Sequence, residues 1–168
     1  IDKDIIYLNT FLDQLDAKPD GPKEFLFCKS CEEIRNKTET YFSNLIHHND
    51  FFKPNFKRYS IVNLDYKKLK LFVMWTLYAF FVSTLNNIKI SPFTPYLDDL
   101  ADMLMNNDPG SISEYGFTLK YLVNNGSNPK TLVVLPQLKK IGNQFIAETI
   151  IQGIYFKILL NGNADRKL

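Results

Sequence analysis

Seventeen residues, Leu69 to Leu85, constrain this chain more than any others. Leu71, Phe72, Val73, Met74, Trp75, Leu77, Tyr78, Phe80, Phe81 and Val82 leave hardly a polar face on any helix drawn through them. A helix apolar all round must be enclosed, either by lipid or by the rest of its own fold. A membrane span needs about 20 apolar residues. This run is shorter, holds Thr76, Tyr78, Ser83 and Thr84, and is flanked by Lys67, Lys68 and Lys70. The reading is therefore a buried central helix with other elements packed around it, in a soluble protein with no membrane partner.

The rest of the chain must supply those elements. Ile5, Ile6, Leu8, Phe11, Leu12 and Leu15 recur at helical spacing and predict a helix ending before Pro19, followed by a turn over Lys18-Pro19-Asp20-Gly21-Pro22. Glu24 to Phe27 reads as a short strand, and Ile34, Thr38, Tyr41, Phe42 and Leu45 place one helical face on Glu32 to Ile46. His47 to Asn63 has no period and predicts a loop, with a short strand near Tyr59 to Val62. Thr94-Pro95 is a helix-start signal, Leu97, Leu100, Met103 and Leu104 give that helix its buried face, and Asn106 to Gly110 ends it.

Beyond this point β-branched and aromatic residues dominate. Tyr115 to Val123, Thr131 to Leu135 and Gln144 to Leu160 predict three or four strands, mostly antiparallel, with Asn124 to Lys130 and Lys139 to Asn143 as hairpin connections and Gly153 as punctuation. A chain of 168 residues suits one domain. The expectation is a single α+β domain over residues 1–168, mainly helical over 1–106 and mainly strand over 111–162.

The sharpest chemical feature is Cys28-Lys29-Ser30-Cys31, placed where a helix should begin. Two thiolates at this spacing can chelate one ion, and a helix N-terminus favours their charged form. Zinc in a structural role is the natural cofactor, but a closed tetrahedral site takes four ligands, so the pair is half a site. The two histidines, His47 and His48, are adjacent and would diverge in an extended segment; at most one, His47, is a candidate third ligand. A redox role for the pair is the other reading, although the βαβ surroundings of thioredoxin-like sites are not apparent. Two closely spaced cysteines and no signal-peptide pattern point to a reducing compartment, with the cytoplasm as default. The start at Ile1, without methionine, suggests a trimmed or partial chain.

Twenty Lys plus Arg against eighteen Asp plus Glu leave a net charge of only +2, so nucleic-acid binding would need a local patch. Lys53, Lys57, Arg58, Lys67, Lys68 and Lys70 supply one, interleaved with Phe51, Phe52, Phe56, Tyr59 and Tyr66. Phosphates attract such a segment and aromatic rings can stack on exposed bases of DNA or RNA. The plainer reading is a loop pinned by its aromatics with its lysines in water. Asp98, Asp99 and Asp102 read as a solvated helix face rather than a metal site, and no phosphate loop, dinucleotide fingerprint, nucleophile elbow or zinc-protease motif is present.

Four stretches, in order, carry a family resemblance: Gly21-Pro22-Lys23-Glu24-Phe25-Leu26-Phe27-Cys28-Lys29-Ser30-Cys31-Glu32, Glu39-Thr40-Tyr41-Phe42, Asp65-Tyr66-Lys67-Lys68-Leu69-Lys70-Leu71-Phe72 and Asn106-Asn107-Asp108-Pro109-Gly110. Together they resemble a widespread bacterial family of uncharacterised HNH-endonuclease-like proteins. The resemblance implies that Cys28 and Cys31 form the second half of a treble-clef zinc knuckle. In that family another C-x-x-C and a segment like Ser-His-Ile-Ile-Pro, bearing the candidate nuclease histidine, come first. Ile1 to Asp20 holds neither Cys nor His, and Tyr78-Ala79 stands where the family often has Trp-Arg. The implied function is a nucleic-acid-binding, nuclease-like domain whose catalysis is in question. The rival is a non-enzymatic protein-interaction or regulatory domain of a defence type.

Overall fold

The computed structural model describes residues 26–48, 64–83, 94–122 and 132–161. The expected N-terminal helix, the turn after it and the strand near Tyr59 to Val62 lie outside these residues. Within them the chain forms helices α1 (Lys29–His48), α2 (Tyr66–Val82) and α3 (Thr94–Met105), then strands β1 (Phe117–Tyr121), β2 (Val133–Ile141), β3 (Gln144–Ile151) and β4 (Ile154–Leu160). The class is α+β, as the change of pattern after Gly110 indicates. No described helix is long and apolar enough to cross a membrane.

Helix α2 is the hub. Leu69, Leu71, Phe72, Val73, Met74, Trp75, Leu77 and Phe81 are all buried. Asp65 caps the helix, its side chain accepting from the Lys68 amide at 3.1 Å. The Asp65 amide in turn donates to the Tyr41 hydroxyl at 2.7 Å, which fixes the entry to α2 against α1. Phe42 of α1 stacks on Phe72 of α2 with ring centroids 4.0 Å apart, and both reach Phe156 of β4, at 5.7 and 6.3 Å. Three aromatic rings thus join two helices to the sheet at the centre of the core.

Helix α1 is longer than its apolar period suggests. The Glu32 amide bonds to the Cys28 carbonyl at 3.0 Å, so the first turn forms three residues before Glu32, and His47 and His48 continue the helix instead of opening a loop. Leu26 and Phe27 are not in a strand. Ion pairs from Arg35 to Glu32 and Glu39 run along the outer face, at 3.3 and 2.7 Å.

Helix α3 begins at Thr94-Pro95 and stops where its sequence says it should. Asn107 takes φ 51°, its amide bonds to the Leu104 carbonyl at 3.1 Å, and the Asp108 amide reaches back to Met103 at 2.9 Å. This is a Schellman ending, which needs a left-handed residue that asparagine tolerates. Gly110 follows at φ 65°, and a methyl group there would clash with Glu114 Oε2 and lie 2.6 Å from Met103 Cε.

The loop after Gly110 is tied down on all sides. Lys70, fully buried in α2, donates its ammonium to the Ser111 carbonyl. The Glu114 carboxylate accepts from the Ser111 amide. Asn161 Nδ2 donates to the Ser113 carbonyl at 2.7 Å, and the Tyr115 hydroxyl to Asp99 Oδ2 at 2.9 Å. Burial and the Asp99 charge push the Tyr115 hydroxyl pKa far up, so it stays a donor. The result joins α2, α3 and the sheet through polar contacts at their common edge.

The sheet has the order β1-β4-β3-β2, all neighbours antiparallel. Strand β2 extends to Ile141 instead of ending at Leu135. The extension is possible because Pro136, which cannot donate to a ladder, sits at a bulge. Val134 pairs with Ile150 and Gln137 with Glu148, so two residues of β2 oppose Thr149 alone. The Thr149 hydroxyl bonds the Val134 carbonyl there. Only Gly142 and Asn143 remain for the first turn. Gln152 and Gly153, at φ 51° and 73°, make the second and divide the long run 144–160 into β3 and β4. Both turns are two residues long, and paired positive φ values at the second match the twist of the strands.

Two substitutions test this architecture. Phe156→Ala removes the ring shared by α1, α2 and β4, and is expected to destabilise by roughly 3–5 kcal/mol in urea unfolding. Asp65→Ala removes the cap of α2, with an expected loss of about 1 kcal/mol. Hydrogen bonds and charge from Lys68 hold the Asp65 carboxyl below its ordinary value. The cap therefore contributes above the unfolded-state pKa and is lost as pH falls through the lower folded value. The difference between Asp65→Ala and the parent chain should shrink accordingly on acidification.

Candidate functional site

Cys28 immediately precedes the first residue of α1, and its carbonyl accepts the first bond of the helix. Cys31 is one turn on and faces the same way. Their sulfurs lie 3.3 Å apart, and Ser30 Oγ is 3.1 Å from Cys28 Sγ. Both thiols are free. Cys28 is exposed, whereas Cys31 is half-buried and packs against the hydrophobic core.

The chain just before the pair is anchored by Phe27. Its ring meets Trp75 edge-on at 5.3 Å, stacks on Tyr78 at 6.0 Å, and carries the Arg35 guanidinium 5.5 Å from its centroid. The thiols therefore stand on a platform built from the buried face of α2 and the first turns of α1. Tyr78 belongs to that platform.

The two thiols are electrostatically unequal. The Ser30 hydroxyl, then the Cys31 backbone amide and the Cys31 thiol, hydrogen-bond the Cys28 sulfur and bring its pKa down to about 7. Cys31 moves the other way, because its contact with Cys28 and its burial both favour the protonated form. Near neutral pH the exposed Cys28 is thus partly ionised, with the protonated Cys31 thiol beside it. Such a pair can ligate a soft metal ion or undergo thiol–disulfide exchange.

The described residues supply two metal donors and no more. Among them no group of three or more His, Cys, Asp or Glu side chains is placed to hold an ion. His47, expected as a third ligand, lies sixteen residues beyond Cys31 on the same helix. At 1.5 Å per residue that separation is about 24 Å, so it cannot share an ion with the cysteines. The helix expected over Glu32 to Ile46 already implies most of that separation. Cys28 and Cys31 fit half of a tetrahedral thiolate site.

The basic segment divides. Lys53, Lys57 and Arg58, with Phe51, Phe52, Phe56 and Tyr59, lie outside the described residues. Lys67 and Lys68 are exposed on the first turn of α2. Lys68 Nζ lies 3.1 Å from Asp65 and 5.6 Å from the centroid of the Tyr41 ring. Tyr66 stacks on Phe117 of β1 at 5.9 Å, which makes it packing rather than a free platform. Lys70 leaves the patch altogether. It is fully buried and its charge serves the 111–114 loop, so it cannot meet a phosphate. Asp98 and Asp102 are exposed, as a solvated face requires, whereas Asp99 turns inward to Tyr115.

Two features escaped the sequence reading. Ser30 carries no part in the spacing argument, yet its hydroxyl is the largest influence on Cys28. The second is a charged cluster on one face of the sheet, where Glu148 pairs in register with Lys157 and is bonded by Lys139. Burial pushes the Glu148 carboxyl up, but bonds from Lys139 and Tyr155 outweigh it and hold the group below its ordinary value. Only strand register brings these residues together, and that register depends on the bulge at Pro136.

Compared with protein-family models, curated proteins and solved structures, the chain matches none of them.

The inequality of the thiols has a direct readout. Alkylation of Cys28 by iodoacetamide, followed by mass spectrometry, should rise with pH through an inflection near the lowered value of about 7. Ser30→Ala is expected to move that inflection upward, since it removes the hydroxyl donor. An inflection unchanged by Ser30→Ala would contradict the assigned cause.

Proposed function

We propose that this chain is a nucleic-acid-binding domain of the HNH-nuclease-like, treble-clef type, in which Cys28 and Cys31 provide two thiolates of a structural zinc site. The observation that carries the reading is the pair itself, two sulfurs 3.3 Å apart at the exposed start of a helix whose first turn is anchored on the core. Zinc bound there would act structurally, holding the chain before α1 against that helix. The remaining ligands must come from residues other than those described. Lys67 and Lys68, at the exposed end of α2, are the phosphate contacts, together with Lys53, Lys57 and Arg58 from the adjoining segment. The proposal assigns no catalytic residue.

A second reading, a non-enzymatic protein-interaction or regulatory domain, draws on exposed apolar residues of edge strand β2. Val133, Leu135 and Ile141 are each more than half exposed, at 57%, 59% and 56%. An edge that no described strand pairs with, bearing apolar side chains, suits strand addition by a protein partner.

Binding of short fluorescent DNA and RNA oligonucleotides across a salt series separates the two. Phosphate contacts predict affinity falling linearly on logarithmic axes as salt rises. Lys67→Gln and Lys68→Gln should each reduce the slope by about 1. Lys70→Gln should lower stability, because it removes the bond to the Ser111 carbonyl, and leave the salt slope unchanged. Elemental analysis should find stoichiometric zinc, lost in the Cys28→Ser, Cys31→Ser double variant. Absence of binding at low salt would overturn the nucleic-acid reading, and absence of zinc from the intact chain would overturn the zinc reading.

A further inference from the structure

The described thiol pair is an incomplete metal site but a nearly complete disulfide site. We infer that Cys28 and Cys31 form a reversible intrahelical disulfide by exchange with a small-molecule disulfide, which makes the start of α1 a redox-responsive switch. The inference concerns the same pair as the zinc reading and stands without it.

Geometry carries it. The sulfurs are already in contact at 3.3 Å. A disulfide bond is about 2.05 Å long, so closure needs a shift of little more than an ångström, within reach of two side chains one turn apart at a helix start. Their environments also set an order of events. Cys28 is exposed to an incoming disulfide, while Cys31 is half-buried between it and the core and in contact with the sulfur it must attack. Phe27, held by Trp75 and Tyr78, keeps Cys28 beside Cys31 throughout.

The exchange balances in two displacements. The Cys28 thiolate attacks one sulfur of the small disulfide, forming a mixed disulfide and releasing one thiolate. Cys31, giving up its proton to solvent, then attacks Cys28 Sγ, closes the internal bond and releases the second thiolate. The two cysteines together lose two electrons. The small disulfide gains them, and the two released thiolates take up protons equal to those the cysteines gave. A dithiol reductant reverses both steps. Because oxidation consumes both thiolates, it abolishes any metal affinity of the pair. The described residues place no βαβ unit around the pair, and the inference is confined to a switch within this chain.

The test uses the full chain, with metal content measured first and the metal then stripped by a chelator. The protein is equilibrated with mixtures of reduced and oxidised glutathione, free thiols are capped with a maleimide, and intact mass is read. The expected result is one cooperative two-electron transition to a species lacking two hydrogens, with both cysteines uncapped by maleimide and no glutathione adduct. Cys31→Ser should instead accumulate the Cys28–glutathione mixed disulfide, because the resolving sulfur is gone. Full capping of both cysteines in the most oxidising mixture would overturn the inference, as would glutathione adducts or intermolecular dimers as the sole oxidised products of the parent chain. Zinc content bears on the metal reading alone, so either can fail without the other.

Discussion

Enclosure of α2 is the constraint from which the rest follows. A helix with no polar stripe has no solvent face to spare, and each side of it must find a cover. Phe42 and Ile46 of α1, Leu100, Met103 and Leu104 of α3, and Phe156, Ile158 and Leu160 of β4 share one core with it. The Phe42, Phe72 and Phe156 contacts mark the place where the covers meet. Burying each of these rings contributes on the order of 1.5–3 kcal/mol relative to exposure, which outweighs any single polar contact at the surface.

Within that helix Lys70 imposes a second demand. An ammonium group withdrawn from water is costly unless fully bonded. The chain responds by bringing the Ser111 carbonyl to it, and much of the 106–116 segment follows from that approach. The left-handed Asn107 stops α3, Gly110 passes close to Glu114 where a methyl would clash, and Glu114 holds the Ser111 amide. The Asn-Asn-Asp-Pro-Gly sequence thereby reads as the geometry needed to deliver one carbonyl to a buried cation. The same helix positions the site at its other reach, because Trp75 and Tyr78 seat Phe27 and so place Cys28.

Much of this was legible in the sequence, for identifiable reasons. The central helix announced itself by length of apolar run, α3 by its start and stop signals, and the sheet by β-branched runs separated by glycine. Other features depended on tertiary contacts that a one-dimensional pattern cannot carry. Lys70 is chemically indistinguishable from Lys67 and Lys68 until the helix is enclosed, and it then falls on the inner side. Pro136 suggests the end of a strand, yet Thr149 supplies the bond that lets β2 continue past it. His47 stands at the far end of the helix that separates it from the cysteines, a distance that the helical period of Glu32 to Ile46 already implies. The cysteine pair was legible as chemistry from its spacing, but the inequality of its thiols required the position of the Ser30 hydroxyl.

The central claim is the proposal that nucleic acid meets this chain through the exposed start of α2 together with Lys53, Lys57 and Arg58. The most direct measurement is a backbone amide NMR titration of the isotope-labelled chain with a short single-stranded oligonucleotide at low salt. The account predicts shifts concentrated at Lys67 and Lys68 and in residues 53–58, reversed by added salt, with the amide of buried Lys70 and the strands β2 and β3 little changed. Shifts confined to the sheet, or no shifts at saturating oligonucleotide, would contradict it.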